Sequence, residues 1–217
     1  MSFFITFEGI EGSGKTTQLL HLFDHLQAHG YQAVATREPG GCPISDTIRT
    51  LLLDPENDNM ASQTELLLYS AARAQHVIEF IRPALAAGKI VLCDRFSDAT
   101  TVYQGAGRGL DKMQLEAINR FSADGLVPDM TLLLDYPVEQ GLQRARERNR
   151  SDNQESEGRF ELEAQAFHQR IRQGYLDLAE HEERVHIIDA LGNEREVAER
   201  IAAVIDHFLA SRSPDDF

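Results

Sequence analysis

Two cysteines, three lysines and the lack of any long apolar run narrow the field before a motif is read. Cys42 and Cys93 are too few to staple a fold, and neither has a second Cys or a His at metal-ligand spacing, so both read as reduced thiols. No apolar stretch approaches the ~18 residues of a bilayer-spanning helix. The opening Met1–Glu8 also lacks the basic region and long apolar core of a secretion signal. These absences predict a cytoplasmic protein that stays out of membranes. Cations are scarce too, 21 against 35 acids, for a net charge of −14. Such an acid excess disfavours gripping a long nucleic acid, because each phosphate contact needs a local cation. Any phosphate site must therefore be concentrated in one place. All cations but Lys15, Lys89 and Lys112 are arginines, whose planar forks suit bidentate phosphate contacts. No internal repeat is visible, and the eight histidines form no ligand pattern.

What is present suffices for a core. The 217 residues are 42% hydrophobic and 26% charged, which fits one domain over residues 1–217. Short apolar runs at Phe3–Phe7, Ala33–Thr36, Ile90–Cys93, Met130–Leu134 and Val185–Ile188 read as buried strands. Helical patterns separate them at Thr16–His29, Ile44–Leu53, Ser62–Ala87, Lys112–Ala123, Val138–Asn149, Phe160–Glu180 and Glu194–Ala210. The alternation predicts an α/β fold with a five-stranded parallel sheet flanked by helices. Gly30, Gly88 and Gly125 stand where helices should stop.

The first strand runs straight into Gly9-Ile10-Glu11-Gly12-Ser13-Gly14-Lys15-Thr16-Thr17, a full match to the phosphate-loop pattern in its required strand–loop–helix context. Glycines let successive N–H groups turn inward on phosphate oxygens, and the following helix adds the positive end of its dipole. This predicts a P-loop NTPase fold that binds ATP, with Lys15 on the β- and γ-phosphates and the Thr16 hydroxyl on Mg²⁺. Asp94, closing the run Ile90–Asp94, is placed for the Mg²⁺ shell, and Arg95 puts a cation at the sheet edge where ligands bind. A capping or salt-bridge role is the plain alternative for that pair. The guanine-reading N-K-x-D motif of GTP switches is missing, and the chain is small for a motor. A small kinase remains.

Four segments bear on its acceptor. Thr36–Gly41, with Arg37 and Pro39, makes a turn after the second strand, and Arg49 lies on a short helix beyond it. Tyr69 and Arg73 stand four apart on a long helix and share a face, where an aromatic and a fork could hold a base. Thr100, Tyr103 and Gln104 precede Gly105–Gly109, read as a flexible Gly-rich loop. Each has an ordinary explanation: a turn, a solvated Arg, a packing Tyr. In this order, with Phe7–Thr17, Leu66–His76, Asp94–Phe96, Tyr103–Gly105 and Phe167–Leu176, the set resembles the thymidylate kinase family over nearly the whole chain.

The resemblance implies phosphorylation of dTMP to dTDP by ATP with Mg²⁺, in the supply of thymidine triphosphate, by a homodimer. It implies that Tyr69 stacks on thymine, Arg73 bonds its edge, and Tyr103 packs beneath the sugar, with Thr100 and Gln104 beside them. Glu11 receives the 3′-hydroxyl and Arg49 and Arg95 the acceptor phosphate, while Arg37 and Pro39 line the acceptor side, Pro39 at a position that often follows a cis peptide. The polar stretch 144–163 corresponds to the lid. It carries Arg144, Arg146, Arg148, Arg150 and Arg159, and the phosphate loop itself has no Arg, so the chain is similar to the bacterial lid-arginine type. Arg159 aligns with the lid residue that touches the transferring phosphoryl, and Arg146 is assigned to the ATP side. A kinase for another acceptor, or a nucleotide sensor without turnover, stays open at this point. Arg49 and Arg95 favour an acceptor that already carries phosphate.

Overall fold

A computed structural model describes residues 2–151, 160 and 163–211. Strand β1 (Phe4–Glu8) leads through the phosphate loop into α1 (Lys15–Ala28), then β2 (Ala33–Arg37), α2 (Pro43–Leu53) and α3 (Ser62–His76). A π-helical turn at Val77–Ile81 and the short α4 (Arg82–Ala86) precede β3 (Ile90–Asp94). Next come α5 (Ser97–Thr100), a π-helical segment Thr101–Gly107, α6 (Lys112–Ser122) and β4 (Met130–Asp135). The described chain ends with α7 (Val138–Ser151), α8 (Gln165–His181), β5 (Val185–Asp189) and α9 (Glu194–Ala210). Arg159 and Gly158, on which the lid assignment rests, lie outside the described residues.

All strand pairs are parallel, in the order β2-β3-β1-β4-β5. Phe7 pairs with Asp94 across β1–β3, and Arg37 with Asp94 across β2–β3, so the three strand ends that carry the candidate residues finish side by side. Alternation of side chains sorts the two faces. Phe3, Ile5 and Phe7 pack with Leu19, Leu22 and Leu26 of α1 and Val197, Ile201 and Ile205 of α9. Phe4 turns to the other face with Val77, Ile81, Val91 and Phe96. On that same face Thr6 meets the Thr131 hydroxyl at 2.8 Å, and Thr131 in turn donates to Asp98, which Arg184 grips with two bonds of 2.7 and 2.8 Å. Burying a carboxylate there is tolerated because its charge is paired and its lone pairs are used.

Two helical expectations need correction. The run Gly105–Gly109 is not a flexible loop over its first half, since the π-helical segment after α5 continues as far as Gly107. Its glycines serve close packing: a Cβ on Gly107 would stand 2.7 Å from the Phe167 ring and one on Gly105 3.2 Å from Leu115. The helix expected over Phe160–Glu180 begins at Gln165, with Phe160 in a turn. The run expected over Ser62–Ala87 is helical from Ser62 to Ala86, but it widens at Val77–Ile81 just before Pro83, which has no N–H for an unbroken α-ladder.

Candidate active site

The phosphate loop crosses from β1 to α1, and its shape is set by close approach. Gly12 has φ +71°, and a Cβ there would stand 2.0 Å from the Gly141 carbonyl of α7. Only glycine fits that approach. Helix α1 opens on Gly14 with no side-chain cap, whereas α9 begins with a full Asn193–Glu196 capping box. The first N–H groups of α1 are thus left for a ligand's oxygens. Lys15 lies buried against the same loop, its Nζ donating to the Ile10 carbonyl at 2.7 Å and the Gly9 carbonyl at 3.1 Å, with Ser13 Oγ at 3.5 Å. Burial and the neighbouring Arg95 push its pKa down to about 8, against the pull of Asp94, Glu11 and Glu8. Its ammonium is short of compensating charge, and a polyphosphate would supply it.

At the end of β3, Thr16 Oγ1 donates to Asp94 Oδ2 at 2.5 Å. A hydroxyl and a carboxylate side by side at a phosphate loop are the hard oxygen donors that Mg²⁺ takes along with phosphate oxygens and water. The next residue, Arg95, has φ +70°, a left-handed backbone that costs on the order of 1 kcal/mol outside glycine. That turn aims its guanidinium back over the cleft. It lies 4.8 Å above the Tyr103 ring and donates to Glu11 Oε1 at 3.0 Å. The Tyr103 hydroxyl donates to the same oxygen at 2.5 Å. Burial alone would raise the Glu11 carboxyl, but the His168 ring, Arg95 and Lys15 hold it well below the usual carboxylate range. Burial pushes the Tyr103 and Tyr175 phenols up, so both stay neutral donors.

Opposite the loop stands a wall built on α3. Arg73 is almost fully buried, and each side of its fork is engaged: Nε donates to Glu38 at 2.9 Å, one terminal nitrogen to Asn119 at 2.9 Å, and the other to the Phe96 carbonyl at 3.1 Å and Thr100 at 2.9 Å. Four of the five guanidinium N–H groups are so used, leaving one for a ligand. Glu38 is itself held by His76 at 3.0 Å, whose other nitrogen meets Thr36 at 2.7 Å. Gln104 donates to the buried Glu65 at 2.9 Å. The expected cis bond precedes Pro39, whose carbonyl accepts from Arg49 at 3.0 Å.

A cleft of about 480 Å³ joins these parts. Glu11, Gly12, Gly14, Lys15, Thr16, Thr17, Asp94 and Arg95 line one side, and Arg37, Pro39, Arg49, Tyr69, Arg73, Thr100, Tyr103 and Gln104 the other. Gly9, Ile10 and Ser13 sit just beneath, against Lys15. Arg146 is not brought in. It lies on α7 in a separate depression with Glu139, Gln143 and Gln165. Sequence reasoning missed Glu38, which orients Arg73, and Phe160, whose ring stands 5.6 Å from Tyr103 and 6.4 Å from Tyr69. It also missed Glu8, whose carboxylate accepts from the Phe96 and Ala99 amides at 2.8 and 3.2 Å and from Tyr175 at 2.6 Å. An acid at the carboxyl end of a parallel strand was the available signal for both Glu8 and Glu38.

The family model for thymidylate kinase matches residues 7–201. The chain belongs to the thymidylate kinase family. Among curated relatives, the thymidylate kinase of Syntrophotalea carbinolica is 56% identical over 202 residues, covering 93% of this chain and 94% of its own. That of Desulfosudis oleivorans is 56% identical over 205 residues, covering 94% and 96%. Among solved structures, the thymidylate kinase of Ehrlichia chaffeensis superposes with a TM-score of 0.75 at 33% identity, covering 94% of this chain and 98% of that one. Among the described residues no helix is long and apolar enough to cross a membrane.

Proposed function

We infer that this cleft moves the γ-phosphoryl group of ATP onto dTMP, giving dTDP and ADP. The observation that carries the reading is the convergence of the phosphate loop, two arginines and the α3 wall on a single volume. The donor's phosphates lie in the loop beneath the uncapped start of α1, with Lys15 swinging from the Gly9 and Ile10 carbonyls onto them. Thymine lies against Tyr69, with the spare Arg73 N–H at its edge and Thr100 and Gln104 beside it. The sugar rests on Tyr103, its 3′-hydroxyl toward Glu11, and Arg49 and Arg95 take the acceptor phosphate. Arg37, half-exposed near Asp46, guards the rim.

No general base is required. The acceptor phosphate is largely dianionic at neutral pH, since its second pKa is about 6. The barrier is alignment and charge repulsion, so fixed cations supply most of the rate. Thr16 and Asp94 would hold Mg²⁺, which would screen the phosphate charges. Arg159 is assigned, from the sequence, to the transferring phosphoryl, and its loss by analogy with arginine fingers costs ~10³-fold or more. The reaction belongs in the cytoplasm, where nucleotides are made.

The partner on this reading is a second copy of the chain. Ile44 and Leu51 on α2, Leu67 and Ile78 on and after α3, and Met113 and Phe121 on α6 are all exposed, an apolar set on neighbouring helices. Sedimentation should give a dimer for the native chain and a shift toward monomer for Phe121→Asp. Turnover of dTMP, dUMP, thymidine, AMP, CMP and GMP with ATP and Mg²⁺ tests the assignment as a whole. The expected order puts dTMP first, and dTMP ranking low would sink it.

A further inference from the structure

Arg95 stands in a left-handed turn, at φ +70°, and the backbone is tied on every side of it. Its own N–H donates to the Phe7 carbonyl of β1 at 2.9 Å. Its carbonyl accepts from the Cys93 thiol at 3.1 Å. After the turn, the amides of Phe96 and Ala99 both donate to Oε1 of Glu8, at 2.8 and 3.2 Å. Glu8 is wholly buried, so any part it has in the reaction runs through a neighbour. A carboxylate at that depth calls for a reason, since an apolar residue of like size would avoid the cost of desolvating a charge.

The second oxygen of Glu8 supplies that neighbour. Oε2 accepts from the Tyr175 hydroxyl at 2.6 Å, and the same hydroxyl accepts a longer bond, 3.4 Å, from Nη1 of Arg95. A phenol has one proton to give, and a guanidinium has only donors. With its proton on Glu8, the Tyr175 oxygen turns a lone pair toward Arg95. Tyr175 is buried on α8, which sits so close to the π-helical segment that a Cβ on Gly174 would stand 2.9 Å from Ala106. The guanidinium is thus held from three sides, by the Tyr103 ring at 4.8 Å, by Glu11 on Nη2 and by Tyr175 on Nη1. Among the described residues those bonds use two of its five N–H groups, and the side chain stays 19% exposed where it lines the cleft.

We propose that Glu8 and Tyr175 are positioning residues for Arg95: Glu8 clamps the backbone after the turn and takes the Tyr175 proton, and the Tyr175 oxygen holds the guanidinium toward the acceptor phosphate. The inference rests on the reading of Arg95 as a partner of that phosphate and adds the two groups that aim it. Neither lines the cleft. Glu8→Gln separates the relay from the clamp. The two amides keep the carbonyl oxygen of the new side chain, which leaves its NH₂ facing Tyr175. That NH₂ donates where Oε2 accepted, so it competes with Arg95 for the phenol oxygen.

The test is a ratio of dissociation constants, thymidine over dTMP, measured by calorimetry on the full chain. The ratio reports the hold on the phosphate, whereas a general loosening of the fold weakens both ligands and leaves it unchanged. The native chain should favour dTMP, and Arg95→Ala should lower the ratio most. Tyr175→Phe keeps the buried ring and should lower it about fivefold, the scale of one hydrogen bond. Glu8→Gln should lower it about as far. Adding Tyr175→Phe to Arg95→Ala should change nothing more, because a residue that acts through Arg95 has no effect without it. A native ratio in Tyr175→Phe, or effects that add in the double variant, would overturn the inference. A native ratio in Glu8→Gln with a lowered one in Tyr175→Phe would overturn the part given to Glu8. Equal binding of both ligands by the native chain, or a native ratio in Arg95→Ala, would instead remove the Arg95 reading and this inference with it.

Discussion

The two walls of the cleft are built on opposite plans. On the acceptor side, Arg73 is buried and pinned by four hydrogen bonds, with Glu38, His76 and Thr36 stacked behind it. On the donor side, α1 starts uncapped and Lys15 rests on the carbonyls of its own loop. The acceptor wall pins the Arg73 fork before any ligand arrives, and the donor loop leaves Lys15 on backbone carbonyls that a phosphate can replace. A base must be recognised by shape and a few polar atoms, which rewards preorganisation. A polyphosphate offers many oxygens and several charges, so backbone N–H groups and one mobile cation are enough.

This contrast predicts that acceptor residues are needed for folding and donor residues for turnover. The largest effect should come from Arg73→Leu, which strands Glu38 as a buried charge and removes a base contact. Loss of one partner of a buried pair costs about 3–5 kcal/mol, so chemical denaturation should show a large fall in stability alongside lost dTMP activity. An Arg73→Leu protein of native stability would break the comparison at its root. Lys15→Ala is the counterpart. Its kcat should fall ~10²–10³-fold, as for loss of one strong transition-state donor, while its melting temperature stays level or rises, because the folded chain already disfavours the Lys15 charge.

Glu8 tests the hinge between the halves, since it ends β1 and also ties down the amides after Arg95. Burial, and to a lesser degree Asp98, push its carboxyl from an ordinary 4.5 up to about 7, against the opposing pull of Arg95 and Tyr175. Between those values the folded chain keeps a proton that the unfolded chain has released, so stability from this group falls as pH rises toward 7 and levels off above it. Glu8→Gln should flatten that slope, by ~2–3 kcal/mol at most, as read from denaturation curves at pH 5 and pH 8. The smallest effect is expected at Arg146. As an exposed α7 residue outside the cleft, its change to Ala should alter stability by about 0.5 kcal/mol or less. A tenfold rise in KM for ATP would show instead that this depression belongs to the donor side.

Much of this was legible in order along the chain. The phosphate loop needs a local pattern of glycines, and the central strands, covered on both faces, need continuous apolar runs, so Gly9–Thr17, β1, β3 and β4 could be read directly. The half-exposed edge strands β2 and β5 were read from short apolar runs. Tyr69 and Arg73 could be paired because helical spacing puts them on one face. The Gly105–Gly109 run misled, because glycine chosen for tight packing against Leu115 and Phe167 looks the same in sequence as glycine chosen for flexibility. Glu8, Glu38 and His168 were invisible as partners, since their contacts span 88, 35 and 157 positions in the chain, as with Glu8 to Phe96, Glu38 to Arg73 and Glu11 to His168.

The sequence by itself determined the order of strands and helices, the phosphate loop and the residue types that could face a nucleotide, because periodicity and local backbone demands are written within a few neighbouring positions. Only the tertiary structure decided which of those residues share a cleft and which oxygen of Glu11 is already taken. It also decided that the acceptor wall is pinned while the donor loop is not. Those outcomes depend on burial and on hydrogen bonds between distant segments, and such bonds exist only once the sheet has brought the ends of β1, β2 and β3 together.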